Sequence, residues 1–217
     1  MKKILSRSLI ALTLGATALA SLAGTASAEN TVDLSYTHYD VDLGASHTNI
    51  DGYTLSSTGA YDSGFSYMMD YTNADGSLID YEGAEITANY LPGGGMFGVA
   101  GDYRWDEING TSDKYKGVGL GFGWNDQTMA VNAALTTDVD DFGDDYAFRI
   151  DGAYGITPDL AVTGGFDFLS NDYTKREFKV GANYAVAENF YVDAGYTYID
   201  SASLKADQVS LGVGFNF

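Results

Sequence analysis

From residue 32 to the last residue, 217, apolar side chains alternate with polar or small ones along nearly every stretch. A period of two is the geometry of a β-strand whose two faces meet different surroundings. No stretch beyond residue 28 sustains a helical period, so helical architectures are excluded. The alternation falls into twelve segments: 32–39, 53–59, 65–71, 84–90, 97–105, 118–124, 129–135, 148–156, 160–168, 178–186, 190–198 and 209–217. It is weakest in the first two. A one-residue slip there inverts the facing of every side chain.

The connections alternate as well. Short turns are expected at 61–63, 92–95, 125–127, 157–159 and 187–189, and longer acidic loops at 43–48, 73–82, 106–114, 137–145, 170–175 and 200–207. Pro92 and Pro158 fall in short turns, where a missing N–H breaks no ladder bond. The second face separates a soluble sheet from a membrane one. Where water would call for Lys, Glu and Thr, the sequence places Gly98, Ala100, Gly119, Gly121, Gly123, Gly165, Gly181 and Gly212. Small residues suit the crowded inside of a closed wall, and the Tyr, Trp and Phe near the segment ends suit two interfacial girdles. The expectation is an all-β, closed antiparallel transmembrane barrel of about twelve strands. An even strand number puts both ends of the barrel on the short-turn side.

Residues 1–28 read differently. Lys2, Lys3 and Arg7 precede an apolar run over 9–22, and Ala26-Ser27-Ala28 follows. This is the layout of a Sec signal peptide, with cleavage expected after Ala28 and the barrel spanning 29–217. The chain has no cysteine, which removes disulfides, thiolate metal sites and a lipoprotein anchor. Its 30 acidic and 11 basic residues give a net charge of −19, which excludes a nucleic-acid partner. No phosphate-cradling loop or metal-binding histidine pair occurs, so no cofactor is expected.

The last eight residues, Ser210-Leu211-Gly212-Val213-Gly214-Phe215-Asn216-Phe217, run from a polar residue through Gly212 to Phe215 and a terminal Phe217. This resembles the terminal-strand signal of Gram-negative outer-membrane proteins. With the short turns at 156–162 and 186–192, the chain is similar to small porin-like barrels. The resemblance implies location in the bacterial outer membrane, delivery by the barrel assembly machinery, contact with outer-membrane lipid and lipopolysaccharide, and a monomer.

The inward register holds Asp33, Asp70, Glu85, Asp102, Asp151, Asp167, Glu177 and Asp193 against Arg104, Arg149 and Lys179. Asp102 with Arg104, and Arg149 with Asp151, are expected to cross-pair between strands and to form the constriction. Glu85, Asp167, Lys179 and Asp193 are the further lumen candidates. A narrow wet pore lined this way passes small solutes and favours cations or neutral molecules. The alternative is a plugged structural or surface-exposed barrel, serving adhesion or envelope integrity, in which the same charges form a closed network. A lipid hydrolase is the third reading. It needs His38, on the outward face, to meet a serine and an acid, yet the expected neighbour of His38 is Tyr53, with Ser57 nearer Leu34. His47 lies in the first external loop. Asp138, Asp140, Asp141, Asp144 and Asp145 form an acidic loop able to hold a divalent ion, although a solvated loop that repels anions is the stronger reading.

Overall fold

The computed structural model describes residues 28–126, 128–140, 142, 144–170, 174–202 and 204–217. The expected signal peptide up to residue 27, and Asp141 of the acidic loop, lie outside the described residues. Twelve strands follow in order: β1 (Ala28–Asp42), β2 (His47–Tyr61), β3 (Phe65–Gly76), β4 (Asp80–Tyr90), β5 (Phe97–Ile108), β6 (Thr111–Asn125), β7 (Met129–Asp138), β8 (Tyr146–Thr157), β9 (Leu160–Ser170), β10 (Lys175–Ala187), β11 (Phe190–Ser201) and β12 (Lys205–Asn216). Each pairs antiparallel with its sequence neighbour. β12 closes the wall on β1 from Thr31↔Asn216 to Asp42↔Lys205. Asn30 and Phe217 exchange both backbone hydrogen bonds at the periplasmic end of that seam, at 3.3 and 3.0 Å. A closed ladder leaves no unpaired strand edge, the condition for placing a sheet in lipid.

The alternation fixes the facing of every strand, the first two included. Val32, Leu34, Tyr36 and His38 point outward with Tyr53 and Leu55, while Asp33, Ser35, Thr54 and Ser56 point in. The outer surface is a continuous apolar belt in which Phe97, Leu120 and Val180 are 73%, 68% and 61% exposed. In water such a belt would be an aggregation surface; in a bilayer it is the solvated face. Aromatic pairs mark both rims, Phe190 on Phe215 at 5.6 Å at one and Tyr36 on Tyr53 at 5.9 Å at the other.

The strands run further outward than the alternation alone indicates, so the external connections tighten. The segment expected as a loop over 106–114 is strand on both sides of a two-residue turn, Asn109-Gly110, with φ of 50° and 82°. Positive φ at both central residues matches the twist of a hairpin, and Asn-Gly meets that demand at low steric cost. The Asn109 side chain also accepts from the Asp80 N–H and donates to the Leu78 carbonyl, tying this turn to the neighbouring one.

Candidate functional site

Inside the wall, glycines serve as seats for the longer side chains beside them. A methyl at Gly165 would lie 2.5 Å from Asp151 Oδ1, and one at Gly212 would meet the Asp193 carboxylate. Small residues on the inner face therefore make room for charged neighbours, in addition to thinning the wall. Gly212 and Ser210, read as part of a terminal signal, have ordinary structural places here. Ser210 lines the lumen, Gly212 lies beneath Asp193, and Phe215 packs outward against Phe190 and Phe217.

The charged residues then assemble across the bore. Arg104 on β5 donates through Nε and Nη2 to Asp102 Oδ2, at 2.9 and 2.8 Å, and through Nη1 to Asp167 on β9, at 2.7 Å. Arg149 on β8 donates to Asp151 at 2.6 Å and to Glu85 on β4 at 2.5 Å. Asp102–Arg104 and Arg149–Asp151 thus pair within their own strands, two residues apart, rather than between strands as expected. Two positions on one strand share a face, and the Arg fork bends back along it. The remaining guanidinium N–H groups are what cross the lumen. A third link runs from Lys175 on β10 to Asp106 on β5 at 4.0 Å. Lys175 also contacts Glu177 at 2.7 Å, and Lys179 holds the same carboxylate at 3.1 Å.

These links join strands four or five places apart around the wall, so they act as struts. Asp167, Arg149, Asp102 and Arg104 are only 2–7% exposed. A cavity of about 880 Å³ remains along β1–β6 and β9–β12, lined by Ser35, Thr54, Ser56, Thr72, Gln208 and Ser210 together with Asp33, Asp70 and Asp193. The struts stand in front of β7 and β8, the two strands that contribute no residue to the cavity. Asp33 and Asp193 each keep one buried carboxylate oxygen with no hydrogen-bond partner among the described residues.

All eight lumen candidates thus face inward. Seven belong to the ionic network or its immediate lining, and Asp193 stands apart with Asp33. Lys175 and Asp106, assigned to loops by the alternation, are lumen residues; continuing the period by one step from Glu177 and Arg104 reaches both. A second set escaped the sequence pattern altogether. Tyr39, Val41, Ile50, Ile79 and Ala206, all buried, form an apolar cluster inside the external end of the barrel. There the outward positions, Asp40, Asp42, Asn49, Asp51, Lys205 and Asp207, are polar, so the alternation continues with its apolar side turned inward.

On the outer surface His38 lies opposite Asp51, not Tyr53. Asp51 accepts from Tyr36 at 2.5 Å and lies 2.7 Å from His38 Nδ1. Ser57 sits opposite Val32, buried beneath its neighbours and bonded to the Thr31 carbonyl and to Tyr67. The histidine has an acid but meets no serine among the described residues. In the acidic loop, Asp138 accepts from the Asp140 N–H and from the Lys116 N–H, and Asp140 pairs with the Lys116 side chain at 3.3 Å. Among the described residues, no three His, Cys, Asp or Glu side chains, Asp144 and Asp145 included, gather as a metal site. At the periplasmic turn after β6, Asp126 accepts from the Thr128 and Met129 N–H groups at 2.7 and 2.8 Å. These bonds, Thr128 first, hold its carboxyl below the usual carboxylate range.

A family model described as "Outer membrane protein beta-barrel domain" matches residues 9–217. The chain belongs to that family. Membership places this outer-membrane barrel in the bacterial envelope and accounts for its lipid-facing belt. Among solved structures, the KdgM porin is similar at 14% identity and a TM-score of 0.53, covering 86% of this chain and 99% of its own. The translocator domain of the autotransporter NalP from Neisseria meningitidis is similar at 13% identity and a TM-score of 0.50, covering 98% of each chain. No curated protein sequence matches the chain. At these identities the likeness is one of fold.

Proposed function

We propose that this barrel is a passive channel for small solutes, with a preference for cations and neutral molecules, and that it has no enzymatic activity. The observation that carries this reading is the space left open beside the struts, a cavity of about 880 Å³ walled in large part by hydroxyl, amide and carboxylate groups. Such a wall replaces the hydration of a passing solute at little cost. Seven carboxylates line the cavity against Arg104, Lys175 and Lys179, and an acid excess concentrates cations locally. The name of the similarly folded KdgM porin is consistent with a transport role.

A second reading is a sealed structural barrel, and the three struts favour it. Current through single refolded barrels in a planar bilayer, under a salt gradient, separates the two. Stable steps reversing on the cation side support the channel; a silent bilayer containing folded barrels supports the sealed one. Residues 1–28 are proposed as the export signal, with cleavage between Ala28 and Glu29, where β1 begins. The mass of the chain recovered from outer membranes tests this. The proposed partners are the barrel assembly machinery during insertion and lipopolysaccharide at the external rim, with the barrel remaining a monomer.

A further inference from the structure

The cavity is chemically two-ended. Its deep wall carries Asp33, Asp70 and Asp193, none within ion-pair distance of a Lys or Arg among the described residues, whereas Arg104, Arg149, Lys175 and Lys179 are bound to other carboxylates. Nearer the external mouth the lining turns apolar, with Tyr39, Val41, Ile50, Ile79, Ile199 and Leu204. Along β1, Asp33 and Tyr39 are six residues apart, which is about 20 Å of strand. Tyr39 reaches the Tyr81 ring of β4 at 6.4 Å, so this apolar end closes around the path from more than one side.

A small hydrated ion gains nothing from the apolar end, and a neutral hydrocarbon gains nothing from the deep carboxylates. An elongated molecule with a cationic head and an apolar tail satisfies both. We infer that the cavity is a binding site for amphipathic organic cations, the ammonium lying against Asp33 and Asp193 and the tail against the collar of Tyr39, Ile50 and Ile199. The tail leaves water for apolar surface, and the head meets two acids that each keep one buried oxygen without a hydrogen-bond partner among the described residues. An anionic amphiphile of the same length meets the same collar but the wrong charge below it. The inference rests on reading the lumen as a solute path and names the class of solute that path retains.

The test is calorimetric binding to the barrel in zwitterionic nanodiscs, with empty discs subtracted. Dodecyltrimethylammonium, well below its micellar concentration, is compared with tetramethylammonium and dodecyl sulfate. We expect dodecyltrimethylammonium to bind at least about tenfold more tightly than either comparator. The near-isosteric Asp33→Asn/Asp193→Asn pair should lower that affinity about tenfold, and Ile199→Ser should reduce the advantage over tetramethylammonium. Equal binding of the dodecyl cation and anion, or indifference to the two amide substitutions, overturns the inference. Conductance of the unliganded barrel is recorded separately. Binding with a silent bilayer keeps this site and removes the channel, whereas conductance without selective binding does the reverse.

Discussion

At the scale of single residues, the direction a side chain faces decides what a substitution costs. Gly119 faces inward, and a methyl there would run into the Leu135 carbonyl and lie 2.8 Å from the Thr136 Cα. Gly101 faces the lipid, and its nearest neighbour would be a carbonyl oxygen 3.9 Å away. Gly119→Ala should therefore destabilise the barrel by about 1–3 kcal/mol, through forced backbone movement. Gly101→Ala should stay within about 0.5 kcal/mol. Urea unfolding in micelles measures both. Asp126 supplies a pH-dependent counterpart. Its carboxyl is lowered in the folded state, so its contribution is present above the unfolded carboxylate value of about 3.9 and is lost as pH falls through the lower folded value. Asp126→Ala should be less stable than the parent at neutral pH, and the gap should close in acid. A gap that stays constant down to pH 2 would remove the proposed role of those two backbone bonds.

At the scale of elements, hairpins carry the fold. The Asn109-Gly110 turn needs left-handed backbone at both positions, and Gly110→Ala should cost about 1 kcal/mol. Its readout is a lower unfolding midpoint with unchanged barrel content by circular dichroism. Period two was legible for all twelve strands because lipid and lumen are so unlike that each strand records the difference residue by residue. Strand ends were not legible, because beyond the bilayer the outer face turns polar and an apolar side chain no longer marks the outside. That is why Asp106 and Lys175 read as loop, and why Tyr39, Val41 and Ile50 gave no sign of their cluster. The pairing of His38 with Asp51 was missed for a related reason. The turn after β1 is tighter than its sequence suggests, and one shorter turn shifts the opposite strand by two residues.

At the scale of the molecule, the struts depend on which strands face each other across the bore, and no local pattern records that. The sequence shows that Arg104, Arg149, Glu85 and Asp167 are inward. Strand number and stagger bring Arg149 to Glu85 at 2.5 Å and Arg104 to Asp167 at 2.7 Å, whereas Arg104 and Glu85, at 3.5 Å, are directly opposed on the neighbouring strands β5 and β4. Removing one cation leaves several buried acids facing each other. Arg149→Gln should thus lower stability by about 3 kcal/mol, read again by urea unfolding. If the lumen conducts, Arg104→Ala with Arg149→Ala should raise single-channel conductance, because the region behind the struts opens to water. Unchanged conductance would mean that the current follows the cavity beside β1 and β12 alone.

The struts have a mechanical consequence. A hydrogen-bonded wall resists stretching but flexes readily, like a hoop of sheet metal. Cross-braces from β4 and β5 to β8, β9 and β10 triangulate that arc into a truss, while the arc containing the β1–β12 seam carries no ion pair across the bore among the described residues and is held inside by apolar contacts such as Tyr39 with Tyr81. Squeezed by the lateral pressure of the bilayer, such a hoop should ovalise on the side without ion-pair braces, the side of Asp33 and Asp193. Spin labels on β2 and β11 should show a broader distance distribution than labels on β5 and β9, and a thicker or stiffer membrane should narrow it. The bilayer would then set the cross-section of the passage as directly as the side chains do.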